Sequence, residues 1–146
     1  MKQTQPIETG IAVVDLDRML DFYQTVLGCT EARRADIPPE LSSQLTLATN
    51  GYVCVWLRTP GGEIIKLMSP PQPPQLTPPA ELLTAQTGIA YLTFYCSDLQ
   101  DTLAAAEAKG ARLRSDRSLV DPERPLRLCF FTDPEGNVIE LVEVDG

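Results

Sequence analysis

The chain contains no histidine, so proton transfer and ligand binding fall to its carboxylates, lysines, arginines, tyrosines and four cysteines. Ser–His–Asp, Cys–His and two-histidine metal arrangements are excluded outright. Cys29, Cys54, Cys96 and Cys129 form no CxxC pair and lie among apolar residues. They read as buried free thiols, which suits a reducing cytosol. Strand alternation sorts the remaining candidates by face. Thr9, Ile11 and Val13 alternate with Glu8, Gly10, Ala12 and Val14, and Leu92, Phe94 and Cys96 alternate with Tyr91, Thr93 and Tyr95. Ile65 and Leu67 oppose Lys66, and Ile139 and Leu141 oppose Glu140. The apolar sets suit a face covered by helices. Glu8, Lys66, Tyr91 and Glu140 are left on the other face. Two carboxylates can take up protons there, and an ammonium and a phenol can stabilise an oxyanion.

The elements that position these residues come in two copies. Val14-Asp15-Leu16 opens a helical stretch that stops at Gly28, and Ser97-Asp98-Leu99 opens another that stops at Gly110. Asp15 suits an N-cap, and Leu16, Met19, Leu20, Tyr23 and Leu27 recur at helical spacing. Leu99, Leu103 and Ala106 share a face in the second stretch, over 98–109. Each half closes on a turn and a strand: Thr59-Pro60-Gly61-Gly62-Glu63 before Ile64-Ile65-Lys66-Leu67, and Asp133-Pro134-Glu135-Gly136-Asn137 before Val138-Ile139-Glu140-Leu141. Internal repeats of this kind define a fold. Further strands are predicted at 7–14, 29–36, 44–58 (with Asn50-Gly51 as a hairpin signal), 62–68, 88–96, 111–117, 126–132 and 136–144. Residues 69–79 hold six prolines, which rule out regular hydrogen-bonded structure and predict a stiff crossover. The organisation is therefore a first βαβββ module over 1–69, a proline-rich crossover over 70–86 and a second βαβββ module over 87–146.

A chain of 146 residues, 43% hydrophobic and 22% charged, is long enough for a real core. Its net charge of -8 argues against nucleic acid and against anionic membrane surfaces as partners. Met1 to Pro6 has one lysine and no apolar run, so no signal peptide is expected. No apolar stretch approaches the roughly 20 residues of a membrane span. A cytoplasmic location follows as the expectation.

The tandem modules, Val14-Asp15-Leu16, Asp21-Phe22-Tyr23, Val26-Leu27-Gly28 and the Asp133 to Leu141 ending resemble the vicinal oxygen chelate superfamily. That group includes the glyoxalase, bleomycin-resistance and extradiol-dioxygenase proteins. The resemblance implies an α+β fold in which both modules build a curved, cup-like mixed sheet with helices outside, and it implies a homodimer. It also implies a site in the cup, at positions that fall here on Glu8, Lys66, Tyr91 and Glu140. In the metal enzymes these positions carry ligands. Here a protonated lysine cannot ligate, and tyrosine is a poor ligand at its usual pKa of about 10. No cofactor is expected, with a weak Mg or Mn ion between Glu8 and Glu140 as an open alternative. The others are a Lys–Glu network that replaces the metal's charge, and a lysine that reaches out to the rim.

Two functions follow from the resemblance. One is lyase, isomerase or epimerase chemistry, with Glu140 or Glu8 as general base and Lys66 or Tyr91 as oxyanion stabiliser. The other is metal-free sequestration of a small molecule, in the manner of bleomycin-resistance proteins. Trp56, Arg58, Tyr95 and Arg127 are the expected ligand contacts. Tyr52, Phe130 and Phe131 are further candidates for an apolar lining.

Overall fold

The computed structural model describes residues 1–144, which fall into two compact units, Met1–Gln75 and a second beginning at Leu76. The first unit runs β1 (Glu8–Ala12), α1 (Leu16–Thr25), β2 (Thr30–Ile37), α2 (Pro39–Gln44), β3 (Tyr52–Arg58) and β4 (Ile64–Ser69). Its sheet has the order β1-β4-β3-β2, with β1 parallel to β4 and the remaining pairs antiparallel. The second runs β5 (Leu92–Cys96), α3 (Leu99–Ala108), β6 (Arg112–Leu113), β7 (Leu119–Val120), β8 (Leu126–Thr132) and β9 (Val138–Val144). Its sheet has the order β5-β9-β8-β6, with β7 also on β8 and β5 parallel to β9. First strand beside last, last beside the strand that precedes it: the two units share one α+β plan.

Local chemistry explains the repeated parts. Asp15 caps α1, its carboxylate accepting from the Arg18 N–H at 3.0 Å. Gly110 ends α3 with φ 98°, in the left-handed region. That bend lets the Ala111 N–H reach the Ala106 carbonyl at 3.0 Å, closing carbonyls the helix leaves open. Helices α1 and α3 each lay their apolar stripe on their own unit's last strand. Met19, Phe22 and Tyr23 of α1 are fully buried, as are Leu103 and Ala106 of α3. In the sheets, Val55, Leu57 and Leu67 complete the first core, and Phe131, Ile139 and Leu141 the second.

The closing turns are built alike. The Thr59 N–H donates to the Glu63 carbonyl (2.9 Å) and the Asp133 N–H to the Asn137 carbonyl (2.8 Å). Gly62 and Gly136 stand at φ 100° and 96°, a conformation that other residues adopt only with strain.

Several sequence expectations shift. No hairpin forms at Asn50-Gly51. Residues 45–51 are a loop between α2 and β3, and buried Ser42 holds it: its hydroxyl donates to the Ala48 carbonyl (2.6 Å) and accepts from the Gly51 N–H (3.1 Å). The strand expected over 111–117 shortens to Arg112–Leu113, because Arg114 and Ser115 both direct their N–H groups at the Phe130 carbonyl and the ladder bulges there. Residues 88–91 lie outside β5, so Tyr91 precedes the strand it was expected to join. A single 3₁₀ turn, Leu83–Ala85, interrupts the stretch between β4 and β5.

Candidate functional site: two sheet faces

Register decides which side chains share the face away from the helices. In the first unit Gly10, Lys66, Trp56 and Arg33 lie in one row across β1, β4, β3 and β2. Glu8, Ile64 and Arg58 form the next row, and Ala12, Met68 and Cys54 the row on the other side. Gly10 is the residue beside Lys66, and the Lys66 ammonium makes its ion pair with Glu8, at 2.6 Å. The two side chains are 32% and 40% exposed. At that exposure the pair is worth about 0–1 kcal/mol, not the larger value of a buried network.

Half-buried Trp56 is the centre of this face. The Arg33 guanidinium carbon lies 4.7 Å from the centre of its ring and the Lys66 nitrogen 6.0 Å. Such cation–π contacts hold a cation's position while leaving its N–H groups able to bond. Arg58, also on this face, donates from Nη1 to the Gly62 carbonyl at 3.3 Å. Burial pushes the Cys54 thiol up, and Lys66 and Arg33 oppose that shift, which places both cations near the sulfur. Arg33 was not among the residues singled out by sequence.

The second unit carries a different face. Thr93 is paired with Glu140 across β5 and β9, and its hydroxyl donates to the carboxylate at 2.6 Å. Phe130 is Glu140's partner on β8, and Tyr91 meets Phe130 edge-on, ring centres 5.0 Å apart. Tyr95, Val142 and Leu128 share that face, with Tyr95 strongly exposed. Arg124 is paired with Asp121 at 2.7 Å.

Arg127 was expected among the ligand contacts. The β8–β9 register instead sets it with Cys129 and Phe131 on the helix-covered side, where its guanidinium pairs with Glu143 at 2.9 Å. Phe131 is likewise fully buried core. The signal was present in the sequence: Arg127, Cys129 and Phe131 share one parity.

The donor set does not fit the metal of the chelating enzymes. Lys66 is a cation, its ammonium is bonded to Glu8, and the Tyr91 ring packs on Phe130. The thiols offer no substitute, since burial pushes Cys29 and Cys129 up to about 11, far from the thiolate form. Among the described residues no three His, Cys, Asp or Glu side chains gather as a ligand cluster. The same residues contain no helix long and apolar enough to cross a membrane.

Both units thus pair their first strand with their last and carry a helix on one side of the sheet, leaving the other side uncovered by it. The sequence model of the Glyoxalase/Bleomycin resistance protein/Dioxygenase superfamily matches residues 5–141, and the chain belongs to that superfamily. An uncharacterized protein of Escherichia coli (strain K12), YaeR, is 29% identical over 135 residues, covering 91% of this chain and 92% of that one. A glyoxalase family protein from Bacillus cereus superposes with a TM-score of 0.84 at 23% identity, over 100% of this chain and 97% of the other. The fosfomycin resistance protein FosX from Listeria monocytogenes superposes with a TM-score of 0.66 at 13% identity, over 99% and 96%. At these identities the two structures establish the fold.

Proposed function

We propose that this superfamily member binds a small anionic molecule without a divalent metal, Lys66 supplying the positive charge at a position where the chelating enzymes carry a ligand. The observation that supports this most is the 2.6 Å contact between Lys66 and Glu8. An ammionium-bonded Glu8 is a poor metal ligand, whereas Lys66 beside Trp56 and Arg58 is chemistry suited to a carboxylate or phosphate. The reading extends to a cytosolic homodimer, the four free thiols favouring the first part and the resemblance the second. A thermal-shift screen of small anions, before and after dialysis against a chelator, tests it. The expected hit keeps its stabilisation after chelation and loses it in Lys66→Met. Hits that need added Mg or Mn overturn the reading.

A second reading, acid–base chemistry of the lyase, isomerase or epimerase type, is favoured by the Thr93–Glu140 hydrogen bond. The hydroxyl fixes one carboxylate oxygen and leaves the other to take a proton from an acidic C–H. The oxyanion that develops on the substrate would be stabilised by Tyr91, on the same unit. Loss of solvent-deuterium exchange at the ligand's acidic carbon in Glu140→Gln, with binding retained, is the expected signature. Equal exchange in the wild type and the variant removes it.

A further inference from the structure

We propose that Arg33 is a specificity-determining residue: with Lys66 and Arg58 around Trp56, it makes the first unit's face selective for small organic dianions, such as dicarboxylates, over monoanions. This rests on the reading above that the ligand is an anion held without metal. The chain as a whole carries a net charge of -8, yet this face gathers Arg33, Arg58 and Lys66 against the single carboxylate of Glu8. Two positive charges therefore remain uncompensated on one face of an acidic protein. The other charges of β2 do not alter this balance. Glu31 and Asp36 are paired with Leu57 and Val53, on the helix-side parity of β3, and Glu31 is held by Arg34 at 2.9 Å.

Arg33 forms no ion pair among the described residues, and its partner is the Trp56 ring. An indole-stacked guanidinium is weakly hydrated and keeps its N–H edges available for a carboxylate. Arg33 and Lys66 stand on β2 and β4, with β3 between them, so their backbones are about 10 Å apart. One compact monoanion cannot satisfy both cations well at that spacing, while a molecule with two anionic ends can. Glu8 competes for Lys66, and an incoming anion must displace it.

The chain has one tryptophan, and it is Trp56, so tryptophan fluorescence, excited selectively, reports on this face alone. Titration of the full chain with succinate, adipate and terephthalate, against butyrate and benzoate, tests the inference. A saturable change in Trp56 emission is expected for the best dicarboxylate, about tenfold tighter than for the matched monocarboxylate, as one more charge-assisted contact implies. Arg33→Gln should abolish that preference and leave monocarboxylate binding in place. Arg34→Gln, on the opposite face, should change neither. Glu8→Gln should tighten dicarboxylate binding, because Lys66 loses its competitor. Equal affinity for both classes, or an unaltered preference in Arg33→Gln, overturns the inference while anion binding stands. No saturable response to any probe, or a response abolished by chelator, overturns the underlying reading as well.

Discussion

Lys66 and Glu140 occupy the same place in the two units. Each lies on its unit's last strand, beside a residue of the first strand (Gly10 or Thr93), with an aromatic residue across on the antiparallel neighbour (Trp56 or Phe130). Even the irregularity is shared: the ladder bulges at Glu31/Arg33 opposite Leu57 and Trp56, and again where Arg114 and Ser115 meet Phe130. On one frame, the first unit presents cations and the second a carboxylate among aromatics. Residues that set backbone geometry are repeated and residues that face outward are not. The frame depends on caps, turns and buried stripes, and it leaves the outward face free to diverge.

The strongest test of the shared frame is in the cores. Phe22→Ala should cost about 3–5 kcal/mol and Leu103→Ala about 2–5, since both side chains are fully buried. Chemical denaturation checks this. A near-silent Leu103→Ala would show that α3 is not anchored as α1 is.

The closing turns should separate the units next. Asp133 is buried and accepts from the N–H groups of Glu135 (2.9 Å) and Asn137 (3.0 Å) and from Asn137 Nδ2 (2.7 Å). Asp133→Ala strands these donors and should cost about 1–3 kcal/mol, against about 1 for Thr59→Ala at the matching position. Equal losses would erase the distinction.

Glu63 gives that turn a pH signature. The Thr59 hydroxyl's hydrogen bond holds its carboxyl below the usual value of 4.5. A lowered folded pKa contributes stability above the unfolded value, and that contribution is lost as pH falls through the folded one. Glu63→Gln should therefore be less stable than the wild type at neutral pH, with the gap closing in acid below about 4.5. Melting curves whose gap widens in acid would reverse the assignment.

The smallest effect expected on stability is Lys66→Met, about 0–1 kcal/mol, because the Lys66–Glu8 pair is partly exposed. Melting between pH 5 and 8 measures it. A loss of about 3–5 kcal/mol would mean that the pair works as a buried network after all. Its effect on anion binding should be much larger than its effect on folding.

The parts of the fold legible in the sequence are those set by neighbours along the chain. Asp15 caps a helix through a residue three positions on, and Gly62 and Gly136 close four-residue turns. Alternation placed Lys66 opposite Ile65 and Leu67 because β4 carries no bulge. The same rule, applied to β8, assigns Arg127 to the side of Cys129 and Phe131. At β2 alternation itself fails: Glu31 and Arg33 are two residues apart yet face opposite sides, because the bulge inserts a residue between them. The hairpin suggested by Asn50-Gly51 was displaced by Ser42, which satisfies the loop's backbone groups from α2.

What the sequence by itself determined is thus the duplicated frame: the two helices, the two closing turns and the family they belong to. Their signals are capping, turn conformation and periodicity, all of which act within a few residues. Only the tertiary structure decided that Arg33 stacks on Trp56, that Glu8 reaches Lys66 and that Thr93 holds Glu140. Those contacts join strands far apart in the chain, and a one-residue change of register would turn each side chain to the other face.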